Sequence, residues 1–139
     1  MKIKSRLTVI LSLILVICCF GSLITFASTS CPDKSSVYSN DTDHSVYGTA
    51  SRSSLFTNKC FHGVTSISYD ITNDNSKSLK VKLGRYWSGS TNCFYGIQSF
   101  TVSANGSNSG SFDDLDEDYY YFIEFCAPSD FSGTVCGNS

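Results

Sequence analysis

An all-β fold, a single antiparallel β-sandwich of Greek-key, immunoglobulin-like or jelly-roll-like winding, follows from three features of this 139-residue chain. Past residue 27 the strong helix formers thin out: no Met remains, the only glutamates are Glu117 and Glu124, and the only leucines are Leu55, Leu79, Leu83 and Leu115. Ser, Thr, Tyr, Phe and Val take their place, a strand and turn composition. Apolar residues recur at every second position, and the gaps between these runs hold clusters of Asn, Asp, Gly and Ser.

Met1 to Ala27 carries the three parts of a secretory leader. Lys2, Lys4 and Arg6 are followed by an apolar run from Leu7 to Phe20 and by small residues at Thr25 and Ala27, a pattern of the bacterial kind. The expected organisation is therefore a cleaved signal peptide over 1–27 and a secreted sandwich over 28–139, with no membrane span left after cleavage. Without the leader, seven basic residues face twelve acidic ones, a net charge of about −5. That balance excludes a nucleic-acid partner, which would require a basic face.

The strands can be placed in order. Val46 to Ala50 gives a weak signal inside a Ser- and Asp-rich N-terminal stretch, Cys31 to Asn58. Phe61, Ile67, Tyr69 and Ile71 share one parity, while Ser66, Ser68, Asp70 and Thr72 hold the other. Leu79, Val81, Leu83 and Trp87 alternate with Lys80, Lys82 and Gly84; Phe100, Val102 and Ala104 alternate with Thr101 and Ser103. Each pattern is that of a half-buried strand. Tyr119 to Cys126 is apolar on both parities apart from Glu124, as in a central strand covered on both faces. Phe131, Gly133 and Val135 mark the last strand. Thr72–Ser76 and Ala104–Gly110 read as turns.

Five cysteines follow the leader: Cys31, Cys60, Cys93, Cys126 and Cys136. In an oxidising compartment these are disulfide candidates, and the odd count leaves one thiol free or bonded to a second copy, so a monomer or a disulfide-linked dimer is expected. A Cys31–Cys60 bridge would tie the loose N-terminal region to the first strong strand, and Cys93–Cys126 would join neighbouring strands. Connectivity itself does not follow from spacing.

Few residues point to catalysis. Cys60 and His62 fall on one face of a strand, a spacing open to a thiol and its base, but no oxyanion-hole motif accompanies them. Metal-ligand spacings such as C-x-x-C are absent. Glu124 stands alone among apolar neighbours, whereas glycoside hydrolysis requires two opposed carboxylates. No catalytic residue and no cofactor is therefore assigned. Asp113, Asp114, Asp116 and Asp118 form an acidic run with the hard oxygen ligands that weakly bound Ca²⁺ would use, although the glycine and ligand spacing of an EF-hand is missing. A solvated turn is the alternative.

Seventeen aromatic residues follow the leader. Tyr86 and Trp87 adjoin a Ser-Gly-Ser-Thr-Asn loop and Tyr95 follows it, so Tyr86, Trp87 and Tyr95, with Tyr38, are the candidate contact residues. The parity of Leu79, Val81 and Leu83 alternatively sends Trp87 into the core and Tyr86 outward. The expected function is a non-catalytic extracellular binding module for a protein or glycan surface.

Val37-Tyr38-Ser39-Asn40, with His44-Ser45 after it, resembles the tyrosine-serine-asparagine and histidine-serine pattern of lactococcin-like bacteriocins over about a dozen positions. That resemblance implies a sandwich fold and supplies the alternative function, a secreted antimicrobial, toxin-like or inhibitor protein. The cysteines and the C-terminal half depart from that family.

Overall fold

The computed structural model describes residues 27–86 and 89–139, so the expected leader as far as residue 26, and Trp87, lie outside the described residues. Nine strands run in chain order: β1 His44–Ala50, β2 Leu55–Phe56, β3 Phe61–His62, β4 Ser66–Asn73, β5 Leu79–Tyr86, β6 Cys93–Val102, β7 Ser107–Phe112, β8 Tyr120–Phe125 and β9 Ser129–Asn138. Sheet A has the order β1-β9-β4-β7, and sheet B the order β2-β8-β5-β6, with β3 also paired to β8. Every strand pairing is antiparallel. No helix is found among the described residues, and so none there is long and apolar enough to cross a membrane. The chain winds between the sheets: β4 to β5, β6 to β7 and β8 to β9 each cross from one to the other.

Alternation explains the core. Val46, Ile67, Ile71, Phe112, Phe131 and Val135 from sheet A meet Leu55, Leu79, Val81, Leu83, Val102, Tyr121, Ile123 and Phe125 from sheet B. Phe125 stacks on Phe131 across the two layers, with centroids 3.8 Å apart and planes 14° apart. Asn73 ends β4 fully buried because its amide has a complete set of partners. Its Nδ2 donates to the carbonyls of Lys77 and Ser103, and its Oδ1 accepts from the Asn75 amide, closing the turn into β5.

The outer faces differ. Sheet A presents Ser68, Asp70, Thr72 and Ser109, and the Ser109 hydroxyl donates to Asp70. Sheet B presents a second apolar cluster of Phe56, Cys60, Tyr86 and Phe122, flanked by Cys31, Cys93 and Tyr120. An N-terminal strap, residues 28–38, covers part of that face. Ser28 exchanges backbone hydrogen bonds with Phe56 at 2.8 and 2.7 Å, and Tyr38 donates to the Cys60 carbonyl at 2.8 Å. β8 is thus covered on both faces.

Several expectations change here. β7 occupies Ser107–Phe112, where the composition reads as a turn, and β6 begins at Cys93 rather than near Phe100. The Ser- and Asp-rich stretch from Cys31, with its one weak signal at Val46 to Ala50, contributes two strands, β1 and β2.

Candidate functional site

The aromatic candidates separate into core and surface. Tyr38 is 5% exposed, packs between His44 and Phe61, and donates its hydroxyl to Asn58 at 2.7 Å. Tyr86 does point to the outer face of sheet B, as its parity requires, but the strap covers it and its hydroxyl donates to the Pro32 carbonyl. Burial pushes both tyrosine hydroxyls up to about 12. Neither Tyr38 nor Tyr86 is therefore an exposed contact residue, contrary to the sequence expectation. Tyr95 is 51% exposed on β6, the edge strand of sheet B, with Phe94 and Ile97 exposed beside it.

Next to the strap, the outer face of sheet B opens into a shallow cleft of about 480 Å³. Tyr95 and Phe56 supply aromatic surface, with ring centroids 6.0 Å apart, and Phe122 lies edge-on to Tyr95 beneath them. Lys82 and Glu124 face the cleft from adjacent positions of β5 and β8. Lys82 Nζ lies 3.8 Å from Glu124 Oε2, an ion pair too long for a hydrogen bond. Glu124 is 8% exposed, and its Oε2 has no hydrogen-bond partner within the protein. Thr29 from the strap, with Ser53 and Ser54, completes the rim with hydroxyls. Period-two alternation puts Lys82 on the outward parity, whereas β8, apolar on both parities, assigns Glu124 to neither face. What it could not show is that the two strands are neighbours.

The acidic run does not gather into a cation site. Asp113 accepts from the Ser111 hydroxyl at 2.8 and 2.9 Å, Asp116 accepts from the Asp118 amide at 3.0 Å, and Asp114 takes a positive φ of 56° at the bend. Among the described residues no three His, Cys, Asp or Glu side chains converge as metal ligands. These contacts are those of a turn that satisfies its own backbone.

Cys60 and His62 do not form a thiol and base. His62 stacks flat on Tyr120, with centroids 4.0 Å apart, and its Nδ1 meets the Tyr119 carbonyl at 3.2 Å. The Cys60 thiol is fully buried and turns to the Pro32 and Asp33 carbonyls at 3.8 and 3.7 Å.

Among the described residues no pair of cysteines stands at bonding distance, and neither bridge expected from spacing is formed. Cys31 Sγ approaches Cys93 Sγ to 3.3 Å instead of Cys60. Cys93 pairs with Tyr86, which pairs with Tyr120, six residues from Cys126 along the strand direction of β8. At about 3.3 Å per residue that is roughly 20 Å, too far for a bridge.

No family model matches the chain, and no curated protein matches it. Among solved structures, a family 6 carbohydrate-binding module resembles it with a TM-score of 0.42 and 8% sequence identity, over 85% of this chain and 98% of that one.

Proposed function

We propose that this chain is a secreted, non-catalytic binding module that holds a carbohydrate in the cleft on the outer face of sheet B. The observation that carries the reading is the pairing of Tyr95 and Phe56 with the Lys82–Glu124 couple in one open cleft. A sugar ring offers an apolar C–H face for an aromatic side chain and hydroxyls that need both donors and acceptors. Tyr95 supplies the face. Lys82 supplies a donor, and the Glu124 carboxylate, whose side chain keeps 11% of its surface exposed beside Lys82, an acceptor. Because the two charges offset one another, the cleft suits a neutral sugar better than an acidic one.

Nothing in this cleft assists bond cleavage. Glu124 is the only carboxylate among the residues that line it, whereas a glycosidase places two across the scissile bond.

The test is calorimetric titration of the protein with neutral oligosaccharides from plant, fungal and bacterial cell-wall polysaccharides. We expect at least one to bind, and Tyr95→Ala to lose at least about tenfold in affinity. Absence of binding across the set, or a Tyr95→Ala protein that binds as the parent does, would refute the reading.

A further inference from the structure

Three sulfurs gather on the outer face of sheet B, and their surroundings differ. Cys31 lies in the irregular part of the strap and Cys93 is the first residue of β6. Their Sγ atoms are 3.3 Å apart, and the Tyr95 hydroxyl lies 3.1 Å from Cys31 and 3.2 Å from Cys93. A disulfide needs about 2.05 Å, so the sulfurs have about 1.3 Å to close. The strap is already held on either side of Cys31, by the Ser28 hydrogen bonds to Phe56 and by those that join Ser36, Tyr38 and Cys60. Only the segment between these anchors has to adjust.

Cys60 is the rival partner for Cys31, and its setting argues against it. Its thiol is fully buried, faces the Pro32 and Asp33 carbonyls, and is pushed up to about 12 by burial. Burial also raises the Cys31 thiol, to about 11, so what sets Cys60 apart is its aim at those carbonyls and its closure to an external disulfide, while Cys93 is the sulfur that stands 3.3 Å from Cys31. Cys126 and Cys136 lie on opposite outer faces of the sandwich, next to Lys82 and Glu124 in one case and Asp41 and Asp43 in the other. They cannot pair with each other within one chain.

We propose that Cys31 and Cys93 are joined by a disulfide that staples the N-terminal strap to the head of β6, with Cys60 kept as a buried thiol. The bond forms by exchange with an external disulfide. A thiolate of one cysteine attacks that disulfide and expels a thiol, and the second cysteine displaces the remaining half from the mixed disulfide. The two protein thiols give up two protons and two electrons, and the external disulfide becomes two thiols.

The staple closes the cluster of Phe56, Tyr86 and Phe122 beneath the strap and restrains β6, an edge strand of sheet B. Edge strands gain most from such a restraint, since one side of each lacks a pairing neighbour.

The test is to oxidise the protein with oxidised glutathione, block free thiols by alkylation, and digest with trypsin together with a protease that cuts before aspartate. Cleavage at Asp33, Lys59, Asp70, Arg85, Asp113, Asp118 and Asp130 puts each of the five cysteines on its own fragment. The expected result is one linked pair carrying Cys31 and Cys93, with Cys60, Cys126 and Cys136 alkylated. A Cys31–Cys60 pair, or alkylation of both Cys31 and Cys93, would overturn the proposal. As a second readout, reduction should lower the melting temperature of the parent by on the order of 10 °C and leave Cys31→Ser unaffected. An equal drop in Cys31→Ser would show that another bond carries the effect. If Cys31→Ser does not fold, the fragment map of the parent decides alone.

Discussion

Phe122 packs its ring over Gly84, in the space where any other residue would carry its Cβ. A Cβ built there would meet the ring at 2.5 Å and the Phe94 carbonyl oxygen at 2.8 Å. Gly84 sits on β5 beside the register shift between Leu83 and Arg85, so the strand dips and lets the aromatic layer lie close to the sheet. Gly84→Ala is expected to cost about 2–3 kcal/mol by overpacking, measured by denaturant unfolding. A change below about 0.5 kcal/mol would mean that the ring moves freely.

Asn73 is a hub in the turn between the sheets. Its amide serves the Lys77 and Ser103 carbonyls from a fully buried site, so Asn73→Ala would leave those acceptors without their donor. We expect a loss of about 2–3 kcal/mol, and for Asn73→Asp about as much, because the donor is lost while the shape is kept. Equal stability of parent and Asn73→Asp would show that the two hydrogen bonds contribute nothing net.

How much of this was visible beforehand depends on what each segment faces. β4, β5, β8 and β9 show themselves because at least one face of each packs on the core, which forces Ile67 and Ile71, or Val81 and Leu83, onto one parity. β7 does not, since it is an edge strand in which only Phe112 is buried, and Ser107–Ser111 can be polar on both faces. The outward direction of Tyr86 was readable from parity. Its burial was not, because the strap that covers it is distant in sequence and lacks a periodic pattern. The same holds for the cleft: Tyr95 is recognisable as an aromatic next to a polar loop, whereas the approach of Phe56, Lys82 and Glu124 depends on strand order.

Alkaline pH should loosen the fold through groups that are neutral when folded. Burial raises the Tyr38 and Tyr86 hydroxyls from 10.0 to about 12, and the Cys60 thiol from 9.0 to about 12. Raised folded-state values mean that the unfolded chain releases these protons first. Their contribution is complete below about pH 9 and fades as pH rises from there towards 12. The melting temperature should accordingly fall across that window, and Tyr38→Phe should fall less steeply. A flat profile from pH 9 to 12 would contradict the burial of these groups.

The staple and the cleft share their walls, so sugar binding should respond to reduction. Thr29 lines the cleft from the strap, two residues from Cys31, and Tyr95 lines it from β6, two residues from Cys93, with its hydroxyl against both sulfurs. Once the bond is broken, the strap can move relative to Tyr95, and binding must then include the cost of ordering both walls. We expect the reduced parent to bind its oligosaccharide about tenfold more weakly than the oxidised parent, mainly through faster release. Cys31→Ser should bind at the weaker level in either redox state. Equal affinity of the oxidised and reduced parent would show that Tyr95 is positioned by the sheet alone, through its packing on Phe56 and Phe122.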